Sequence, residues 1–242
     1  MVQNDLFNPL YIKGIARQLA MINCLDAPIN KKSNWLIDNL HYFHSILKER
    51  IKKKDEKAKQ VIKFLQEHDF DSEIQWIANN VLKIQSPIVF CNNDLIPANI
   101  LVRNEILKKI KNDESNEKLL DQLIVIIDFE YCSYNFRGCE IGNFFSEHMF
   151  QYNTPNPLHF TVDEDKYPNE NHQRNFINEY LIKLKQIKGE LSEIDTVDHI
   201  MKEVEAYQIG HNLFWTILTL CCADDDVNDP NSFDCWVSEP LF

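Results

Sequence analysis

Glycine is scarce in this chain, with five residues among 242, at positions 14, 138, 142, 189 and 210. None of them forms a G-x-G-x-x-G turn or a Walker-type phosphate loop, which excludes both of those nucleotide-binding fingerprints. Net positive charge is missing too. The formal charge is −12 and the pI is near 5.1, the wrong sign for a protein that would bind nucleic acid by neutralising phosphates. No apolar run approaches the roughly 20 residues needed to span a bilayer. The start, Met1 to Leu6, shows no basic and apolar leader pattern. Paired cysteines are also lacking. The seven (Cys24, Cys91, Cys132, Cys139, Cys221, Cys222, Cys235) are odd in number and include no C-x-x-C. This argues against a zinc site and for reduced thiols in a cytoplasmic protein. No internal repeat and no low-complexity linker is present.

What the chain does contain is a globular composition, 44% hydrophobic and 11% aromatic, and length enough for a buried core. Its informative stretch runs from Ile88 to Asp128. The apolar run Ile88–Cys91 delivers Asp94, and Asn99 follows at the spacing D-x-x-x-x-N. A second apolar run, Leu123–Ile127, delivers Asp128. Phosphotransferases of the protein-kinase type use this arrangement. One Asp on a loop accepts the proton of the attacking hydroxyl, and an Asn ending that loop helps hold magnesium. A later Asp holds magnesium against the nucleotide phosphates. Asp and Asn are also common turn residues after strands, so a lone D-x-x-x-x-N carries little. Two such elements in this order, each leaving an Ile/Val-rich run, carry much more.

Along the chain, apolar spacing predicts a helix over residues 9–23 and a longer one from Trp35 to about Leu65. The basic cluster Lys48 to Lys59 reads as a solvated helical face. Asp71 or Ser72 is expected to cap the next helix, which Pro87 ends before the strand Ile88–Cys91. A hairpin should follow, made of Ile100–Val102 and Leu123–Ile127, with a polar helix or loop from Asn104 to Asp121 between them. The charged segment from Lys108 to Lys118 reads as a surface excursion. Residues 130–138 read as irregular, Glu140 to about Tyr152 as a helix, and Asn153–Asn169, with three prolines, as a loop. Two helices, about 171–188 and 195–222, precede an acidic, aromatic tail with no assignment. The expected fold class is α+β and mostly helical. It is a protein-kinase-like large (C-terminal) lobe with a small central β-hairpin, the N-terminal lobe being absent or truncated. The whole chain, 1–242, reads as one domain: 1–86 helical, 87–130 the catalytic loop and metal hairpin, 131–242 the helical substrate-pocket part.

Phe90-Cys-Asn-Asn-Asp-Leu95 with Asn99-Ile-Leu101, Ile127-Asp-Phe-Glu-Tyr131, Ser133-Tyr-Asn-Phe-Arg-Gly138 and Ile141-Gly-Asn-Phe-Phe145 resemble choline and ethanolamine kinases, nearer the choline branch. The family pattern is approximately F-C-H-N-D-x-x-x-x-N-I-L, then I-D-F-E-Y-x-S-Y-N-Y-R-G-x-D-I-G-N-H-F. The resemblance implies Asp94 as general base, Asn99 beside it, and magnesium held by Asn99 and Asp128. It implies ATP as co-substrate and Glu147, Tyr152 and Trp215 as the pocket for a small amino alcohol. Carboxylate and aromatic faces suit an ammonium group. Arg137 is expected to be structural, paired with Glu130 or Glu140. His148 and His211 are expected to be packing or surface residues rather than catalytic ones. The residues that would hold the nucleotide stay unidentified, and a homodimer is compatible with the resemblance. The chain departs from the pattern at Asn92 (histidine in the family), Ala98 (glycine), Glu140 (aspartate), Phe144 (histidine) and Leu218 (tryptophan). Asn92 is expected to remove a buttress of the catalytic loop. The resemblance also leaves no counterpart here for the family's phosphate-covering loop. The other readings are a truncated or degenerate relative acting as a binding or dimerisation partner, and an aminoglycoside-phosphotransferase-like kinase.

Overall fold

A computed structural model describes residues 1, 3–32, 34–53, 59–110, 116–152 and 160–222. Nine α-helices and six short strands are present among the described residues. α1 (Pro9–Asn23) starts where the Asn8 side chain accepts from the Leu10 amide, with proline in the first turn. Both features favour a helix start. Its stripe of Ile12, Ile15, Ala16, Leu19 and Ala20 is buried against α8 (Glu170–Lys188). The predicted long helix is described as two pieces, α2 (Trp35–Lys53) and α3 (Lys59–Glu67). The centre of the basic cluster, residues 54–58, lies outside the described residues.

The cap of α4 (Phe70–Asn80) lies two or three residues before the expected one. Asp69, not Asp71 or Ser72, accepts from the Ser72 amide. A side chain at the N-cap reaches the third residue inward, so Asp69 is the residue spaced to do it.

The strands form three two-stranded antiparallel sheets rather than one hairpin. β1 (Ile88–Cys91) pairs with β4 (Ser133–Phe136), a strand inside the segment expected to be irregular. The alternation Tyr134, Asn135, Phe136 hides its pattern because Asn135 is fully buried. β2 (Ile100–Val102) pairs with β3 (Ile124–Ile126), with Leu101 opposite Val125. β3 is shorter than expected because Leu123 closes α6 (Glu117–Leu123), which follows α5 (Asn104–Ile110). These two helices bracket the segment expected as a surface excursion, and Ile106 and Ile110 on α5 are buried; residues 111–115 lie outside the described residues.

α7 (Arg137–Ser146) stops well short of Tyr152. A 3-10 turn (Glu147–Met149) and β5 (Phe150–Tyr152) follow, and β5 pairs with β6 (Phe160–Val162) in the expected loop. Residues 153–159 of that loop and the whole tail 223–242 lie outside the described residues.

α7 is buried at every position and packs along α9 (Val197–Cys222). Arg137 joins the two helices. Its Nε and Nη2 donate to the Glu203 carboxylate at 3.0 and 2.5 Å, and its Nη1 to Asp195 at 2.5 Å. The structural role stands, but the expected partners Glu130 and Glu140 are replaced by these two. Burial alone would lower the guanidinium's pKa; the Glu203 hydrogen bonds and charge outweigh it and raise it. One apolar core surrounds α1, α8 and β2–β3. A second lies among α2, α4 and α9. No helix among the described residues is long and apolar enough to cross a membrane. Cys24, Cys91, Cys132, Cys139 and Cys221 are free thiols.

Candidate active site

β1 ends at the fully buried Cys91, and the next three residues form the loop that carries Asp94. Asn92 is buried and binds in three directions. Its backbone N–H donates to Glu140 Oε1 at 2.5 Å. Its side-chain amide donates to the Asp128 carbonyl at 2.7 Å, and its Oδ1 accepts from the Asp94 N–H at 3.0 Å. The expected loss of a buttress is therefore overturned: the amide of Asn92 ties the Asp94 loop to the Asp128 loop directly. Asn93 sits at φ 65, a left-handed conformation that Asn tolerates better than most residues. Its amide donates to the Tyr131 carbonyl and Ser133 Oγ, and its Oδ1 accepts from Asn135.

Asn99 closes the 3-10 turn Pro97–Asn99. Its Nδ2 donates to the Asp94 carbonyl at 3.0 Å and to Asp94 Oδ2 at 2.9 Å. The Ile127 N–H donates to the Asn99 carbonyl at 2.9 Å, which sets Asp128 beside Asn99. Asp128 has φ 60. Two non-glycine residues held in this region, both in the same cleft, are local strain of the kind that functional loops store. Ala98, where a glycine was expected, is exposed and has no positive φ, so its methyl group is tolerated.

The loop is braced from below. Glu140 is fully buried, and its second oxygen accepts from Asn23 Nδ2 at 2.7 Å. Asn23 also donates to the Phe90 carbonyl, and its Oδ1 accepts from the Tyr180 hydroxyl at 2.9 Å. Burial raises the Glu140 pKa, and the donors from Asn23 and Asn92 oppose that shift. One carboxylate thereby joins α1 to the Asp94 loop.

Burial raises the Asp94 carboxyl to about 6. The charges of Asp128 and Glu130 add to the rise, and the Asn99 hydrogen bond opposes it. Glu147, 7% exposed, is raised by burial to about 8, with the Asp94 charge contributing. The Asp94 charge acts on both Glu147 and Tyr152, which places the three in one electrostatic neighbourhood. The Tyr152 hydroxyl donates to Glu147 Oε2 at 2.8 Å, while the residue as a whole is 39% exposed. Trp215 is half-buried. It meets Tyr131, in the loop after Asp128, edge to face at 5.3 Å, and Phe214 at 5.2 Å. Phe214 belongs to the core. Leu218 packs on that same apolar cluster. Phe144, in place of histidine, stacks on Phe176 at 4.9 Å.

Asn99 has its amide nitrogen committed to Asp94, which leaves its oxygen as the group able to serve as a ligand. With the Asp128 carboxylate it offers hard oxygen ligands for a divalent cation. No group of three His, Cys, Asp or Glu that could hold a metal occurs among the described residues. A magnesium ion here would take its other ligands from phosphate oxygens and water, its usual habit.

Sequence reasoning missed Asn23, Tyr180, Tyr131 and a shelf on β2–β3. Leu101 and Ile127 are exposed on the strand face that also carries Val125, while Ile100, Ile124 and Ile126 turn into the core. The period of two within Leu101, Val125 and Ile127 was the available signal. The long-range partners Asn23 and Tyr180 had none.

Residues 1–235 match the family profile described as "Choline/ethanolamine kinase". The chain is 28% identical over 210 residues to "Choline kinase alpha" of Mus musculus, covering 85% of this chain and 44% of that protein. It is 27% identical over 220 residues to "Choline/ethanolamine kinase" of Homo sapiens, covering 89% and 51%. To "Probable ethanolamine kinase" of Arabidopsis thaliana it is 28% identical over 215 residues, covering 88% and 50%. The chain thus spans about half the length of these curated relatives. Among solved structures it resembles choline kinase from Cryptosporidium parvum with a TM-score of 0.69 at 20% identity, covering 91% of this chain and 61% of that one. Ethanolamine kinase from Plasmodium vivax matches with the same TM-score and identity, covering 96% and 59%. At this identity the likeness speaks for the fold.

Proposed function

The chain belongs to the choline/ethanolamine kinase family, and on that premise we propose that it transfers the γ-phosphoryl group of ATP to the hydroxyl of choline or ethanolamine. The observation that carries the reading is the hydrogen-bonded closure of Asp94, Asn99 and Asp128 around one cleft. Asp94, with a pKa near 6, is ionised at neutral pH yet basic enough to accept a hydroxyl proton. General bases perform best in that range. The Asn99 amide holds the Asp94 carboxylate in place, and Asn92 holds the loop against Asp128. Asn99 Oδ1 and Asp128 would hold magnesium, which supplies charge neutralisation on the transferring phosphoryl. The apolar shelf of Leu101, Val125 and Ile127 would seat the nucleotide base. Glu147, Tyr152 and Trp215 would hold the ammonium end, by charge and by aromatic face.

The fold supports this because the Asp94 and Asp128 loops and the β2–β3 pair converge, with Glu140 and Asn23 bracing the Asp94 loop from more distant segments. Phosphoryl transfer asks the protein chiefly for such positioning and for electrostatics. The test is the chain incubated with ATP, magnesium and either amino alcohol, with the phosphomonoester followed by phosphorus NMR. Product should form, and Asp94→Asn should reduce it on the order of a hundredfold or more. Equal turnover in that variant removes Asp94 from the reaction. Tight binding of both ligands without product would favour the reading of a non-catalytic binding partner.

A further inference from the structure

α7 and α9 run parallel in close contact. A Cβ on Gly138 would lie 2.7 Å from the Glu203 carbonyl oxygen, and one on Gly142 would lie 2.6 Å from Gln208 Cβ. Continued by one turn, this register brings Ser146 level with His211, on the faces the helices turn to each other. Three polar side-chain atoms in this stretch are buried without a hydrogen-bond partner among the described residues: Asn143 Nδ2, Ser146 Oγ and His211 Nδ1. Buried polar atoms left this way are uncommon, and three in one stretch ask for a ligand.

The chemistry of the ligand follows from the protons. The Trp215 indole can only donate, and its Nε1 lies 2.8 Å from His211 Nε2. His211 is fully buried, and that burial lowers its pKa to about 3, so the ring is neutral. A neutral imidazole that accepts at Nε2 carries its hydrogen on Nδ1. His211 Nδ1 and Asn143 Nδ2 are then both donors, and the Ser146 hydroxyl can serve either way. Such a site wants an acceptor, and the Glu147 carboxyl on the next residue disfavours an anion. A neutral acceptor with hydrogens of its own for Ser146 is water, the usual occupant of small polar interior sites.

We propose that Asn143, Ser146 and His211 form an internal site for one water molecule, and that His211, seated in it, is the positioning residue that fixes the Trp215 indole. The site lies one residue before Glu147 and one helical turn before Trp215. It therefore ties the carboxylate wall of the pocket to the aromatic wall. With its N–H spent on His211, Trp215 presents only a π face to the ligand, which suits an ammonium cation. The consequence for the pocket rests on the reading of Trp215 and Glu147 given above. The hydrogen-bond network itself can be read without turnover.

The test uses the 15N-labelled chain, with the Trp215 indole resonance assigned through Trp215→Phe. The wild-type His211 ring should show Nε2 unprotonated and Nδ1 protonated between about pH 5.5 and 8. A long-lived water should give cross-relaxation to the His211 Nδ1 proton or the Asn143 amide. His211→Leu should shift the Trp215 indole proton upfield, and His211→Gln, which keeps an acceptor near the old Nε2, should restore it. In the active chain, His211→Leu should raise KM for the amino alcohol about tenfold and leave KM for ATP unchanged. The opposite His211 tautomer, an indole resonance indifferent to His211→Leu, or no water at the donors overturns the proposal. If His211→Leu fails to fold, the wild-type tautomer and His211→Gln still decide it. Should the chain prove inactive, the resonances stand by themselves.

Discussion

Replacing Glu147 with glutamine should make the chain more stable above neutral pH while weakening its hold on the cation. Burial raises the Glu147 carboxyl from 4.5 to about 8, so the folded state binds this proton more tightly than the unfolded state does. The resulting stability is fully present below about pH 4.5. It is lost as pH rises through 8. Asp94, raised to about 6, gives a similar slope at lower pH, so the window between pH 6 and 8 isolates Glu147. At about 1.36 kcal/mol per pKa unit, two units correspond to on the order of 2 kcal/mol. Urea denaturation of both proteins from pH 5 to 9 should therefore show curves that diverge by about this amount above pH 6, the variant remaining flatter. Binding a cationic amino alcohol must expel the same proton. At pH 7 a group with pKa near 8 is roughly nine-tenths protonated, so calorimetry in two buffers should report release of about 0.9 proton per ligand. Parallel denaturation curves and no proton release would refute the account of a buried, cation-facing carboxyl.

Arg137→Met should destabilise the chain by roughly 3–5 kcal/mol, because Glu203 and Asp195 would keep buried charges without a partner. Thermal unfolding reads this directly, and a loss below about 1 kcal/mol would contradict the pairing. Asn92→Ala leaves the Asp128 carbonyl and the Asp94 N–H unpaired and should cost about 1–3 kcal/mol. Its sharper readout is a raised magnesium requirement with an unchanged KM for the amino alcohol, since Asn92 joins the two loops and does not face the amine pocket.

How much of this was legible in the sequence depended on distance along the chain. Local spacing was enough for α1, α8 and α9, and for the two apolar runs that deliver Asp94 and Asp128. The strand Ser133–Phe136 was hidden because Asn135, a polar residue, is buried by a partner 42 positions away, Asn93. Helix α7 was extended too far because Phe150 and Tyr152 continue its apolar rhythm, while their pairing with residues 160 and 162 makes them a strand. Arg137 could be recognised as structural, yet its partners lie 58 and 66 residues on, beyond any local rule. Asn92 shows the same limit. As a substitution it reads as a loss, and only the fold reveals that its amide reaches the Asp128 carbonyl.

Manganese in place of magnesium tests most directly whether Asp94, Asn99 and Asp128 share one cleft. With ATP present, titrating the 15N-labelled chain should broaden the resonances of Asn99 and Asp128 first and together, with Asp94 close behind, while residues of α3 stay sharp. Broadening centred elsewhere, or spread evenly over the acidic surface, would contradict the account.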